Sequence, residues 1–353
     1  MRQPDSTFGR TAFWIFLSFT ALYLGITRGH FVSTDEVAVY QQARSVWENG
    51  DLSTAPILNT LPGRDGKPHA PYNAGQSIAA LPLYGLGKAV RHALEQTGRQ
   101  DWLQTFAGPV VGSMEDRRWG GDVEICFVNL FNCFVTALLC ALYFAFALRL
   151  GAAPTWALAA TVMLGLTSHV VGFSTSFFQH SAEALFLLWS FCFLFRDTQR
   201  PGWRRRMWAG WAAAAMLLVR FPSVITLPAL TAYLMWGVWR RRPDDSSRGR
   251  TLAWTFAQLV AFGVAVVLGV GLNVLINYWK FGTPSLAGSY AQLKRFDSPL
   301  LVSLYGFLLS PGESIFLFTP LLALAPWYMA SFSRRWRTER FFLLLVGASY
   351  LLF

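Results

Sequence analysis

Charge is what this chain has least of. Of its 353 residues only 14% are Asp, Glu, Lys or Arg, against about a quarter in a soluble globular protein. The hydrophobic share is 54%, with a mean hydropathy of +0.36, which argues against an ordinary cytosolic enzyme. Cysteine is scarce as well. Cys126, Cys133, Cys140 and Cys192 all lie in apolar runs, and the first three recur every seven residues, one helix face with steps of ~10 Å. That spacing suits neither disulfides nor a metal cluster, so they read as small packing residues. Acid is the scarcer sign: 19 Asp+Glu against 30 Lys+Arg leave a net charge of +11. In a soluble chain such an excess would point to nucleic acid; here it points to a charge rule of membrane insertion.

What the chain has is long apolar runs. A membrane helix needs about 20 mostly apolar residues. Runs of that kind occupy Thr11–Thr27, Val123–Leu148, Thr155–Ser174, Ala182–Phe195, Met207–Phe221, Ser223–Trp239, Leu252–Tyr278 and Ile315–Phe332. A ninth begins at Phe341 and reaches only Phe353, so the expectation is a longer native protein. The predicted fold is all-α: a polytopic bundle of about nine spans with one large outer loop, residues 28–122. With the N-terminus inside, the inner segments RDTQRPGWRRR, RRRPDDSSRGR and SRRWRTER collect the arginines, as the positive-inside rule expects. The first run has no small-residue cleavage site after it and reads as an uncleaved signal anchor. The inner segments then carry 17 basic and 5 acidic residues, and the rest of the chain 13 and 14. The net charge is a topology signal, and no nucleic-acid partner is expected.

The outer loop holds the candidate chemistry. Asp35 and Glu36, in HFVSTDEVAVYQQARSVWENGDL, open a predicted helix over Asp35–Trp47 capped by Ser33, Thr34 or Asp35. A pair of acids at a helix start is also simply favoured by the dipole. Their place just beyond the first span favours chemistry: a carboxylate there can take a proton from a polar acceptor while a lipid-borne donor approaches. In GRDGKPHAPYNAGQS, residues 63–77, Lys67, His69 and Tyr72 present positive charge and donors to an anion, or form a plain solvated turn. The amphipathic stretch Ala74–Leu94, with Pro82 near its middle, is expected to lie along the membrane surface. Further polar residues interrupt the runs at the same predicted boundary: His180 and Glu183, Arg220, Asn273 and Asn277, Lys280 and Tyr290, and Glu313 after Pro311–Gly312. Each alone reads as helix–helix glue or a snorkelling side chain; their gathering on one leaflet reads as a site.

Taken in order, STDExxxYxxA after the first span, DGKPHAPYNAGQSIAALPLY, FFQHSAEALF, MLLVRFP, NYWKFGTP and GFLLSPGESIFLFTPLL resemble bacterial GT-C type integral-membrane glycosyltransferases. The nearest in kind are protein O-mannosyltransferase-like and aminoarabinose-transferase-like enzymes. The resemblance implies a sugar donor on a polyprenyl phosphate and a protein, lipid or glycan acceptor. It also implies a bacterial inner-membrane location with the active site on the extracytoplasmic face. It makes Asp35 the catalytic base and Glu36 its partner, with Lys67 and Arg220 on the lipid phosphate. His180 stands where relatives carry a polar residue or a second carboxylate. Polyprenyl phosphate leaves as a stable anion, so a base and cations suffice. Lys280 or Arg295 could add to the cations, and direct displacement would invert the anomeric carbon. Neither a DxD pair nor a His cluster of ligand spacing is present, so no cofactor is expected, with a divalent metal left open. A flippase of lipid-linked sugars is the main alternative, although no internal repeat supports it. A non-catalytic subunit is less compatible with both acids being present.

Overall fold

A computed structural model describes residues 6–57, 60–99, 123–240, 248–285, 299–312, 314–332 and 336–352. Among the described residues the chain is all-α but for one small hairpin. In order, it forms α1 (Ser6–Ile26), α2 (Thr34–Asn49), β1 (Leu61–Pro62), β2 (Pro68–His69), α3 (Gly75–Ala79), α4 (Leu81–Gln96) and α5 (Val123–Arg149). Next come α6 (Pro154–Thr167), α7 (His169–Ser174), α8 (His180–Gln199) and α9 (Trp203–Val219). A 3₁₀ turn (Phe221–Thr226) leads into α10 (Leu227–Trp239), then α11 (Arg248–Phe281) and α12 (Leu300–Leu309). Last are α13 (Ile315–Phe318), a 3₁₀ turn (Pro320–Leu324), α14 (Ala325–Phe332) and α15 (Arg337–Leu352).

Four helical stretches among the described residues are long and apolar enough to cross a membrane: Gly9–Ile26, Val123–Arg149, Phe221–Trp239 and Thr255–Phe281. Three of the other expected spans differ for visible reasons. The run Thr155–Ser174 is cut at Ser168, whose extended backbone caps α7; its hydroxyl bonds the Leu164 carbonyl and accepts from the Val170 amide. The run Ile315–Phe332 is cut at Thr319 into two short helices and a 3₁₀ turn. α8 carries Glu183 in its first turn and Arg196 in its last.

The chain divides into two compact units. The first comprises Met1–Leu185, Leu218–Phe221 and Leu272–Leu293, and the second Phe186–Leu217, Pro222–Gly271 and Lys294–Phe353. In the first unit α1 and α5 run antiparallel: Asn129 at the start of α5 meets Thr27 just past the end of α1, and Cys140 further along meets Tyr23. Between them Ile15, Phe19, Tyr23, Cys133, Ala137, Cys140 and Phe144 form a core joined by Ala157 of α6. No disulfide joins the four cysteines, all among the described residues, and Cys133 and Cys140 are buried. A second core, of Val39, Tyr40, Ala80, Tyr84, Ile125, Val128 and Phe177, seats α2 and α4 on α5.

Pro82 does not interrupt the amphipathic stretch. It occupies the first turn of α4, where its missing N–H costs nothing, so the break falls between α3 and α4. Arg91 of α4 grips the buried Glu124 of α5 through Nε and NH2. α2 is tied to α4 by Glu48, which accepts from Tyr84 Oη and Lys88 Nζ at 2.7 Å each, and from Arg44 Nε at 3.0 Å. Burial works against the Glu48 charge, but the Lys88, Tyr84 and Arg44 donors outweigh it and hold the carboxyl down at about 2. A carboxyl held low in the folded chain contributes fully above its ordinary value of 4.5 and loses that contribution as pH falls toward about 2. Thermal stability of the full chain should therefore fall across that window, and Glu48→Gln should flatten the fall; an unchanged acid profile in the variant would count against this tie.

The second unit has its own buried polar pair. Asp197 accepts from Arg206 Nε at 3.0 Å and from the Gly202 amide at 2.8 Å, and Arg206 also bonds Gln258. Phe191 stacks on Phe342 at 4.1 Å, and Tyr233 donates to Glu339 at 2.8 Å.

Candidate functional site

α2 begins at Thr34, one residue before the expected start, and of the three candidate caps Ser33 takes the role. The Ser33 hydroxyl accepts from the Asp35 amide at 3.2 Å, and Glu36 closes a capping box by accepting from the Ser33 amide at 3.0 Å. The two acids then part company. Glu36 is buried, and its carboxylate is fully engaged: Oε2 also takes the Val32 amide at 2.7 Å, and Oε1 takes the Phe177 amide at 2.7 Å. Burial pushes the Glu36 carboxyl up, and the backbone amides of Val32, Phe177 and Ser33 pull the other way. Geometrically it is a structural anchor between α2 and the segment that joins α7 to α8. Asp35 is half-buried, and Tyr72 donates its phenolic proton to Asp35 Oδ1 at 2.5 Å.

Tyr72 is delivered by the hairpin loop. Gly63 N donates to the Lys67 carbonyl at 2.7 Å, with Gly66 in the left-handed region (φ 75°) that its turn requires. Neither Lys67 nor His69 points at Asp35. Lys67 is exposed and pairs with Asp51 at 2.7 Å. Burial opposes the Asp51 charge, but Lys67, Ser45 and Ser53 together hold that carboxyl well below the usual range. His69 is buried; Nδ1 donates to the Leu52 carbonyl at 3.0 Å, and Nε2 faces Asp65 Oδ1 at 3.0 Å. Lys280, fully buried in the last turn of α11, donates to the carbonyls of Ala70 and Tyr72.

The predicted residues of α8, with Arg220 just past the end of α9, form a second group. Arg220 NH1 donates to Glu183 Oε2 at 2.9 Å, and His180 Nδ1 lies 3.7 Å from the same oxygen. The His180 ring packs on Phe173 at 4.5 Å between centroids. The short stretch 72–75 joins this group to Asp35. Tyr72 holds Asp35, the Asn73 carbonyl accepts from Gln179 Nε2 at 3.2 Å, and Gly75 lies against the backbone of Leu218 and Val219. Four residues span at most roughly 14 Å, so Asp35 at one end and the chain neighbours of His180 and Arg220 at the other meet one short segment. Every predicted site residue within the described residues belongs to the first unit. Tyr290, Arg295 and Glu313 lie outside the described residues. Among the described residues, no three His, Cys, Asp or Glu side chains gather as a metal would need.

Several residues that build the site escape the sequence reading. Asn129 and Asn132, wholly buried on α5, donate to the carbonyls of Thr175, Ser176 and Phe178. Gln76 donates to Phe177 O at 2.7 Å, and Thr136 to Ser181 Oγ at 2.9 Å. Together with Glu36 they fix the irregular segment before α8, whose backbone would otherwise be buried without partners. Asn129, Asn132 and Thr136 carry a readable signal, polar residues three and four apart inside an apolar run. It is the signal that marks Asn273 and Asn277, which are also buried, with Asn277 donating to the Ser285 carbonyl at 3.0 Å. No protein-family model, curated protein or solved structure matches this chain.

Proposed function

We propose that this chain is an integral-membrane glycosyltransferase that moves a sugar from a polyprenyl-phosphate donor to a protein, lipid or glycan acceptor. The observation that carries the reading is Asp35: a half-buried carboxylate with one oxygen fixed by Tyr72, whose short segment meets, at its other end, the chain neighbours of the His180 and Arg220 that pair with Glu183. Asp35 removes the acceptor proton as the acceptor oxygen or nitrogen attacks the anomeric carbon. The bond from that carbon to the phosphate oxygen breaks, and polyprenyl phosphate departs with the electron pair. Arg220 is suited to the departing phosphate, because one guanidinium carries several N–H donors and Glu183 fixes its orientation. Lys67 is exposed at the mouth of the hairpin and can exchange Asp51 for the phosphate. In this reading the bundle has about nine spans, the N-terminus is cytoplasmic, and the site opens on the extracytoplasmic face of a bacterial inner membrane.

The direct test is turnover by the full chain in proteoliposomes supplied with labelled polyprenyl-phosphate sugars and a mixed acceptor pool. Acceptor-dependent release of polyprenyl phosphate, with inversion at the anomeric carbon, is the expected result. Retention of configuration would rule out direct displacement with Asp35 as base. Movement of intact donor between leaflets without release would favour a flippase.

A further inference from the structure

Lys280 is the least expected residue of the first unit. An ammonium is among the costliest groups to bury, yet this one is fully buried, and among the described residues no carboxylate pairs with it. Its Nζ donates to the Ala70 carbonyl at 2.5 Å and to the Tyr72 carbonyl at 3.0 Å, and sits 5.1 Å from the Phe281 ring centroid. Gln42 Nε2, from the buried face of α2, reaches the same two carbonyls at 3.4 and 3.2 Å. Its Oε1 accepts from Ser77 at 3.1 Å. One pair of carbonyls is thus held by an amide and an ammonium from elements far apart in sequence.

The held segment is Ala70–Pro71–Tyr72. Pro71 has no N–H to donate and a fixed φ, and the carbonyls on either side of it take their donors from Lys280 and Gln42. The same end of α11 braces the hairpin: the Lys280 carbonyl accepts from the Arg64 amide at 2.9 Å, and the Phe281 ring meets His69 edge-on at 6.1 Å. Lys280 therefore spends its donors on backbone and offers no exposed surface to a ligand. Its effect leaves through Tyr72, whose carbonyl it holds and whose phenol meets Asp35.

We propose that Lys280 and Gln42 are positioning residues that clamp the 70–72 carbonyls and so aim the Tyr72 hydroxyl at Asp35. This rests on the glycosyltransferase reading only for its catalytic consequence; the clamp itself is independent of it. A phosphate-binding lysine and a clamp differ in what their loss does. With Lys280→Met in the full chain in nanodiscs, a clamp predicts a loss of about 10²-fold in kcat, the scale of a ~1 Å misplacement. The donor KM and the binding of polyprenyl phosphate alone should then stay within about twofold. Because the effect passes through Tyr72, adding Lys280→Met to Tyr72→Phe should cost no more than about threefold further, a strongly non-additive pair. Gln42→Leu, which leaves the ammonium in place, should give the same kcat-only signature and serves if Lys280→Met does not fold. A tenfold loss of polyprenyl-phosphate binding in Lys280→Met, or multiplicative effects with Tyr72→Phe, would overturn the proposal. Hydrogen exchange separates it from the reaction class. The peptide covering residues 69–75 should exchange at least about tenfold faster in Lys280→Met, as expected for local opening, whether or not any sugar is transferred. Unchanged exchange there would refute the clamp even in an active enzyme.

Discussion

Asp35→Asn is expected to lower sugar transfer about 10²–10⁴-fold, the usual contribution of a positioned general base, while membrane insertion and thermal unfolding stay close to wild type. The contrast follows from what the side chain touches. The carboxamide keeps the shape of the carboxylate and an oxygen that can still accept from Tyr72 Oη. The helix cap depends on Ser33 and Glu36, so the cap survives, and removing a charge near a helix N-terminus costs about 0.3–1 kcal/mol. What vanishes is the ability to take a proton. The measurement is the initial transfer rate of purified full-length protein, normalised to folded protein by its unfolding signal. A rate within about threefold of wild type would remove Asp35 from the role of base.

Glu36→Ala should do the opposite, damaging the fold first. Three backbone amides would lose their acceptor at once, those of Val32, Ser33 and Phe177. Hydrogen bonds to a charged group contribute about 1.5–3 kcal/mol each. Since two of the three sit at a partly solvated helix start, a net loss of about 3–5 kcal/mol is expected. Glu36→Gln is informative because it is not conservative here. One carboxamide oxygen can serve the helix start, but the NH₂ then faces the Phe177 N–H, donor against donor. Both variants should therefore unfold at lower temperature, and proteolysis should open the segment before α8. If Glu36→Gln were as stable as wild type yet inactive, Glu36 would instead be the catalytic partner that the family resemblance implies.

Local signals in the sequence fared better than distant ones. Ser33, Thr34 and Asp35 all suit a cap, and α2 starts within one residue of the expected Asp35 with Ser33 as the cap. The runs at Val123 and Leu252 become helices long enough to span because polar residues inside them, such as Asn132 and Asn277, bond segments outside their own helix and leave the ladder intact. Ser168 breaks its run because a hydroxyl that bonds the backbone on both sides offers an alternative to the helix. The division of labour between Asp35 and Glu36 was not legible, because it depends on the amide of Phe177, whose position no local pattern encodes. Nor was the fate of Lys67, Arg220 and Lys280. All are cations near one boundary, and only folding pairs the first with Asp51, the second with Glu183 and the third with two carbonyls. Residue type told which groups carry charge, and tertiary contact decided which of them is spent on the fold.

The long-range bonds of the first loop also impose a timetable. A ribosome adds roughly 5–20 residues per second. Glu36 must wait 141 residues for the Phe177 amide, roughly 7–30 s at that speed. The Tyr72 carbonyl waits 208 residues for Lys280, roughly 10–40 s. The loop that carries the candidate base is thus among the first polar parts of the chain to be made and among the last to be secured. Throughout that interval its bonds to Phe177 and Lys280 are unmade, so the nascent chain exposes it in a form unlike the mature site. Quality-control proteases would meet the protein in this state, and any variant that delays α11 would lengthen their opportunity without altering a single contact of the completed molecule.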